Sequence, residues 1–132
     1  MASSRDIQGV SGVAAVVVNT SIPVESISAL VEKVAVPVCV TACAADDVVH
    51  RQIAAGASIV NVAAGARTPQ VVEALRREYP DLPIIATGGP TDDAIRATIA
   101  AGADAVSWTP PAIADLEREV MEKARRLAAE LL

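Results

Sequence analysis

Short apolar runs alternate with longer amphipathic segments along most of the sequence. An apolar run of about 4–8 residues is typical of a buried strand, whereas apolar positions three and four residues apart are typical of a helix. The predicted strands are Val13–Val18, Val36–Ala42, Ser58–Ala63, the run that begins at Leu82, and Ala105–Trp108. The predicted helices are Glu25–Ala35, Asp46–Ala55, Pro69–Glu78, Thr91 or Asp92 to Ala101, and Ile113–Leu131. Because no hairpin signal joins the strands, the pattern predicts five βα units in a parallel sheet with right-handed crossovers.

The sequence also repeats itself at an offset of 46 residues. Aligning Val36-Pro37 with Leu82-Pro83 (82 − 36 = 46) brings further identities into register without a gap. These are Thr41 with Thr87, Asp46-Asp47 with Asp92-Asp93, and Ile53-Ala54-Ala55-Gly56-Ala57 with Ile99-Ala100-Ala101-Gly102-Ala103. A unit of this length suits a pair of βα units and is too long for a solenoid coil. The copies differ where the first has Ala42-Cys43-Ala44 and the second has Gly88-Gly89-Pro90, so the glycines mark a feature of the second copy.

Composition narrows the class of protein. A length of 132 residues favours a single domain, which we place at residues 10–132 after a polar tail at residues 1–9. With aromatic residues at only 2%, the core must consist of Val, Ile, Leu and Ala, as in parallel sheets covered by helices. The net charge of −5 and the absence of a basic stripe argue against nucleic-acid binding, and no apolar run approaches the ~18 residues of a membrane span. Cys39 and Cys43 do not suggest a disulfide framework, so we expect a cytoplasmic protein.

The glycine turn of the second copy is the strongest candidate for a binding site. Gly88-Gly89 follows a predicted strand and precedes a predicted helix, and paired glycines allow the backbone to approach a ligand closely. The N-terminus of that helix offers free N–H groups and the positive end of its dipole, which favour an anion such as phosphate. The candidate phosphate-binding residues are Thr87, Gly88, Gly89, Thr91, Ser107 and Thr109. The alternative interpretation is a tight turn in which glycine only relieves strain.

The segment from Pro83 to Pro111 resembles the last two βα units of phosphate-binding TIM barrels. These barrels carry a glycine pair after the seventh strand, here Thr87-Gly88-Gly89, and an Ala-Gly-Ala-Asp-Ala-Val approach to the eighth, here residues 101–106. The sequence of residues 84–91 and the segment Trp108-Thr109-Pro110-Pro111, which follows the last predicted strand, also resemble uncharacterised bacterial barrel proteins labelled as hydrolases. The resemblance reaches back to about Val36, and it implies a barrel-like fold with a phosphate site at the strand ends.

The length departs from that family, because a complete barrel needs eight units and about 250 residues. Five units match the flavodoxin-like, doubly wound sheet of strand order 2-1-3-4-5, which is the fold predicted here. The alternative is half of a TIM barrel that closes by pairing with another copy, since a barrel leaves no open edge. Trp108, at the end of the last strand, then belongs either to the core under the last helix or to a subunit interface.

Four other polar residues lie at or after predicted strand ends or inside a strand and are further candidates for a site, namely Asn19, Asn61, Arg67 and Cys43. Cys43 lacks a nearby base in the sequence, because the lone histidine, His50, falls two turns into the next helix beside Arg51. The paired aspartates at 46–47 and 92–93 are best explained by helix capping, and no metal site is indicated. No lysine follows a predicted strand, which disfavours a Schiff-base aldolase. No catalytic residue is therefore assigned.

Three functions are compatible with these features. The first is binding of a phosphorylated small molecule, such as a phosphosugar, a nucleotide or FMN, at the C-terminal strand ends. The second is a small lyase or hydrolase acting on a phosphorylated substrate, with groups supplied by a partner copy. The third is a structural or engineered half-barrel scaffold without a ligand. In each case we expect a homo-oligomer, because a five-unit barrel fragment leaves two edge strands uncovered.

Overall fold

A computed structural model describes residues 12–19, 21–89, 91–108 and 112–131. The strands are β1 (Val16–Val18), β2 (Val38–Ala42), β3 (Ile59–Val62), β4 (Ile84–Thr87) and β5 (Ala105–Ser107). The helices are α1 (Val24–Lys33), α2 (Asp47–Ala54), α3 (Thr68–Glu78), α4 (Asp92–Ala100) and α5 (Ile113–Leu131), and a 3₁₀ turn at Gly65–Arg67 precedes α3. The five predicted βα units are therefore confirmed, whereas the predicted tail at residues 1–9 lies outside the described residues.

The five strands form one parallel sheet of order β1-β2-β3-β4-β5. The predicted doubly wound order 2-1-3-4-5 is wrong, because each strand is added to the same edge of the sheet as the one before it. Right-handed crossovers that always advance in one direction place their helices on one face. The architecture is therefore that of part of a TIM barrel, the alternative considered from the sequence.

The core lies between the sheet and helices α1 to α3. One cluster joins buried strand residues such as Val40, Val60 and Ile84 to helix residues that include Ile27 and Leu75. The strand residues in this cluster occupy alternate positions, as expected when one face of a strand points toward the helices. Nearly all the core side chains are Val, Ile, Leu and Ala, as the composition predicted.

The opposite face of the sheet carries a second set of alternate positions. Thr41 and Asn61 are register partners there, and Thr87 and Ser107 are partners two positions further along. At the edge strand β1, Val17 has the same orientation and is 62% exposed. A doubly wound sheet would bury this face under a second layer of helices, where hydroxyl and amide groups would need partners. The same face also carries Cys39, Ile59 and Ile85, so it is mixed in polarity, unlike the uniformly apolar face that packs against the helices.

Arg76 and Asp104 form a hydrogen-bond network at the N-terminal ends of β4 and β5. The guanidinium of Arg76 donates to the carbonyl oxygens of Gly102, Pro80 and Leu82, and its Nη2 lies 2.7 Å from Asp104 Oδ2. The same carboxylate oxygen accepts the N–H of Ile84 at 2.8 Å. That hydrogen bond and the Arg76 guanidinium lower the pKa of Asp104, although partial burial opposes them.

The last helix differs from the other four helices of the described residues, because none of its 19 residues is buried. Trp108, at the end of β5, is 57% exposed, so its placement in the core under the last helix is wrong. The interface interpretation of Trp108 stays a prediction. Within the part of the chain that the structure describes, no helix is both long and apolar enough to cross a membrane.

Candidate functional site

A cleft of about 780 Å³ lies at the C-terminal ends of β3 and β4. The first turns of α3 and α4 both border it, and its floor includes Thr87, Gly88 and Gly89. Half of the other lining residues are small, namely Ala63, Gly65, Ala66, Ala94 and Ala97. Because small side chains leave the space unfilled, the cleft is wide enough for a small molecule. We call it the β4 cleft.

The two predicted glycines are required by close packing, and neither has a positive φ. A Cβ added to Gly88 would lie 2.6 Å from Val106 Cγ1, and one added to Gly89 would lie 2.9 Å from Ala94 Cβ. The N–H of Gly88 donates to the carbonyl of Ser107 at 2.9 Å, which extends the sheet by one more bond. Gly88 therefore allows β5 and α4 to approach, and its N–H is not available to a ligand.

The helix that follows the glycines is capped by Thr91. Its Oγ1 accepts the N–H of Ala94 at 3.2 Å, so Thr91 and not Asp92 is the N-cap, which settles the choice that the sequence left open. Asp92 and Asp93 occupy the first turn, where carboxylates offset the helix dipole. Asp93 also borders the β4 cleft, so a negative charge lies beside the predicted anion site.

The structure does not bring all the candidate residues into one site. Ser107 Oγ lies 3.4 Å from the carbonyl oxygen of Ala86, to which it donates. Arg67 is exposed in the 3₁₀ turn and is not among the residues that line the cleft, and Asn61 lies half-buried on the open face of the sheet. Asn19 is exposed just after β1. Thr109 lies outside the described residues.

A second cleft, of about 260 Å³, lies at the C-terminal end of β2. It is lined by residues from Thr41 to Ala44 together with Asp46 and the helix residues Val48, Val49 and Gln52. Gln52 is 1% exposed, and its Nε2 has no hydrogen-bond partner. An unsatisfied buried amide costs free energy, so a water or a ligand oxygen in this cleft would relieve it. We call it the β2 cleft.

Sequence reasoning placed Cys43 near this position but missed Gln52. The available signal was a long polar side chain on the inner face of a predicted helix, three residues from Val49. The aligned residue in the second copy is Thr98, which is also buried, but its Oγ1 donates to the carbonyl of Ala94 at 2.8 Å. The short hydroxyl is thus satisfied within its own helix, and the longer amide is not.

Both cysteines are free, in agreement with the expectation that they do not form a disulfide. Cys39 is buried, and burial raises the pKa of its thiol, although a hydrogen bond from the backbone of Asn61 opposes the shift. Cys43 is exposed in the β2 cleft. His50 contacts other groups: its Nδ1 lies 2.8 Å from the Tyr79 hydroxyl and its Nε2 lies 3.4 Å from Glu78. The histidine therefore ties α2 to the end of α3.

The pKa of the Tyr79 phenol is also shifted in this arrangement. Burial and the nearby carboxylate of Glu78 raise the pKa of its phenol, so the hydroxyl is protonated at neutral pH. Among the described residues, no group of three or more His, Cys, Asp or Glu side chains is placed to hold a metal ion. These observations assign a structural role to the histidine, and they place no base beside Cys43.

Comparison with known proteins supports the fold. No protein-family model matches the sequence, and a search of curated proteins gives no significant match. Among solved structures, a native KDPGal structure is similar over 83% of this chain and 53% of its own, with 21% identity and a TM-score of 0.63. Inosine 5′-monophosphate dehydrogenase from Legionella pneumophila is similar over 68% of this chain and 30% of its own, with 18% identity and a TM-score of 0.57. The chain therefore spans about half or less of these proteins and shares part of their fold.

Proposed function

We propose that the β4 cleft binds a small molecule that carries a phosphate group. The observation that carries the proposal is the convergence of two helix N-termini on one cleft beside Gly89. The first turns of α3 and α4 both border it, and each brings the positive end of a helix dipole. A phosphate at such a position accepts hydrogen bonds from backbone N–H groups, and its charge is stabilised by both dipoles.

Thr87 lines the cleft where β4 ends, on the side of the sheet away from the helices, and its hydroxyl is the side-chain group that we propose adds a hydrogen bond. Thr87 is half-buried at the C-terminal end of β4, where ligands of parallel α/β sheets bind. Thr68 and Thr98 also border the cleft, but their hydroxyl groups are engaged with the backbone. Gly89 matters because a side chain there would fill the space against Ala94.

The carboxylate of Asp93 opposes an anion in the same cleft. At a separation of several ångströms from a phosphate, a like charge weakens binding by about 1 kcal/mol or more in a surface environment. We therefore expect weak binding of inorganic phosphate, and tighter binding of a ligand whose organic part contacts the alanine wall. This favours a phosphosugar, a nucleotide or FMN over a bare anion.

The comparisons support the proposal at the level of architecture. One of the similar structures is an enzyme named for inosine 5′-monophosphate, a compound that carries a phosphate. The present chain shares part of that fold, including parallel strands whose C-terminal ends face the cleft. The proposal for this chain rests on its own geometry, because identity at this level concerns the fold alone.

Titration with ligands tests the proposal. Inorganic phosphate, ribose 5-phosphate, AMP and FMN are added to the parent chain and to Thr87→Val, with binding followed by calorimetry and by FMN fluorescence. Val has the shape of Thr without the hydroxyl, so Thr87→Val is expected to weaken binding about 3–10-fold, which corresponds to one hydrogen bond. Thr41→Val, at the aligned position outside this cleft, is the matched control and is expected to leave binding unchanged.

Asp93→Asn supplies the complementary test. Removing the charge is expected to tighten binding of every phosphate compound by about 3-fold or more, and the gain should shrink in high salt. Binding that is equal in the parent, Thr87→Val and Asp93→Asn would place the phosphate elsewhere. If none of the four compounds binds, the result would favour a structural scaffold that has no ligand. Turnover of a bound compound would instead indicate a lyase or hydrolase.

A further inference from the structure

We infer that α5 pairs with α5 of a second copy of this chain, in antiparallel orientation. The inference does not depend on the phosphate proposal. Its first observation is the exposure of the helix: six large apolar side chains on α5 are between 44% and 86% exposed. They are Ile113, Leu116, Val120, Met121, Leu127 and Leu131. Exposed apolar residues scattered singly are ordinary, but a continuous patch marks an interaction surface.

Five of these residues, together with Ala124, form one stripe along the helix. Their spacings of three and four residues, from Ile113 to Leu131, keep them on a single face of an α-helix. Most of the other positions of the helix carry charged residues. A stripe of this kind on a helix of 19 residues, about 28 Å long, is suited to packing against another helix.

The charge distribution along α5 indicates the identity and the direction of the partner. Residues 113–122 carry four carboxylates and one arginine, whereas residues 123–131 carry three basic residues and one carboxylate, Glu130. If two copies align antiparallel at their midpoints, the acidic half of each helix lies along the basic half of the other. A parallel pair would place like charges together. The helix is thus complementary to itself in one orientation only.

The charges determine the relative orientation of the two helices more than the strength of their association. Most of them lie on the flanks or the outer surface of the helix, at distances comparable to the Debye length of about 8–10 Å. The attraction is therefore modest and sensitive to salt, while burial of the apolar stripe supplies the free energy. Two helices in contact over about 28 Å form an interface near the lower end of the stable range, so we expect dissociation constants of about 1–100 μM.

A membrane surface is the other partner that an amphipathic helix suits, and the composition of α5 disfavours it. The helix carries five carboxylates against four basic residues, a net charge of −1. Helices that lie on anionic membranes are usually rich in Lys and Arg on the polar face. The face of α5 therefore fits a protein partner better than a lipid surface.

Sedimentation velocity and light scattering across 5–500 μM test the pairing. The parent chain is expected to shift from monomer to dimer, and Val120→Glu, in the centre of the stripe, is expected to weaken association at least 10-fold. Ala129→Glu adds the same charge on the opposite side of the helix and serves as the matched control. Circular dichroism confirms that both variants fold. A parent that stays monomeric at 500 μM, or a Val120→Glu chain that dimerises as well as Ala129→Glu, overturns the inference.

Chemical crosslinking tests the direction. In a Cys43→Ser background, which leaves only the buried Cys39, a short bismaleimide is applied to Ala124→Cys and to Ile113→Cys. In an antiparallel pair, position 124 lies near its counterpart, whereas the two 113 positions lie about 27 Å apart. Crosslinked dimer is expected for Ala124→Cys alone. Equal crosslinking at both positions would show a parallel pair and overturn the proposed orientation.

Discussion

The β2 cleft and the β4 cleft are formed by aligned residues of the two repeat copies, but the aligned residues have different roles in the two clefts. In the first, Asp46 caps α2 by accepting the N–H groups of Val48 and Val49. In the second, the cap is Thr91, one position earlier in the alignment, and the aligned aspartate Asp92 falls inside the helix. Asp93, the next residue, borders the β4 cleft, whereas the aligned Asp47 does not line the β2 cleft. Identical residues at aligned positions thus acquire different roles through a one-residue change in where the helix begins.

The glycines of the two segments also fall into two groups, according to whether they have an aligned counterpart. Gly56 and Gly102 end the aligned helices α2 and α4, both with positive φ, so they serve the same purpose in the two segments. Gly88 and Gly89 have no counterpart in the first segment, and space rather than φ explains them. The difference teaches that the second segment packs its strand end more closely on β5 and α4.

Gly88→Ala is expected to have the largest effect. The new methyl group would lie 2.6 Å from Val106 Cγ1, closer than unbonded carbon atoms approach. Overpacking of this kind costs about 1–3 kcal/mol, which urea denaturation measures directly. Gly88→Ala/Val106→Ala removes the opposing methyl groups and should recover part of the loss. A Gly88→Ala chain as stable as the parent would mean that the close approach is not required.

Arg76→Leu is expected to destabilise the chain by about 2 kcal/mol, as loss of a charged hydrogen-bond donor does. In the first segment Val31 lies against Gly56 as Arg76 lies against the aligned Gly102, so an apolar side chain at position 76 imitates that copy. The carbonyl oxygens of Gly102 and Leu82 would lose the Arg76 donor, and the carboxylate of Asp104 would keep the N–H of Ile84. Arg77→Leu is the control, because its ion pair with Glu73 is exposed and should contribute less than about 0.5 kcal/mol. Equal effects of the two changes would contradict the structural role of Arg76.

The pH dependence of stability should report the same network. The folded-state pKa of Asp104 lies below its ordinary value of 3.8, so its contribution is present above that value and is lost as pH falls through the folded pKa. Thermal unfolding of the parent and of Asp104→Asn is compared from pH 7 down to pH 2. The difference between the two chains is expected to be constant near neutrality and to shrink below about pH 4. A difference that stays constant to the lowest pH would show that Asp104 is not the titrating group.

Gln52→Met is expected to have the smallest effect and the opposite sign. It keeps the length of the side chain and removes the unsatisfied Nε2, so the chain should gain about 1 kcal/mol in the absence of a ligand. Thr98→Val is the matched change in the second segment, and it should not stabilise, because the Thr98 hydroxyl already has a partner. A loss of stability in Gln52→Met would indicate that the amide is satisfied by water in the β2 cleft.

Much of the local structure follows from the sequence alone. The apolar runs and the 3.6-residue patterns located the five strands and five helices of the part of the chain that the structure describes, because burial and periodicity are local properties. The cap at Asp46 and the helix ends at Gly56 and Gly102 were equally accessible, since each depends on a short stretch of chain. The glycine turn was correctly identified as unusual, and it does border a cleft.

The strand order and the composition of the site were decided by tertiary structure. A right-handed crossover can return to either side of its strand with the same local pattern, so the order 2-1-3-4-5 and the order 1-2-3-4-5 look alike in sequence. A polar residue at alternate positions of successive strands was the available signal, with Thr41 and Asn61 as its clearest pair. That signal has meaning only when the strands are known to be neighbours.

The need for glycine at position 88 and the exposure of α5 were also decided by tertiary structure. The nearest obstacle to a side chain at Gly88 is Val106, 18 residues away in the chain, and no local rule connects the two. The apolar stripe of α5 predicts that the helix buries one face, but the pattern does not name the surface that covers it. Periodicity records that a side chain avoids water, whereas only the packing of distant elements decides what it contacts instead.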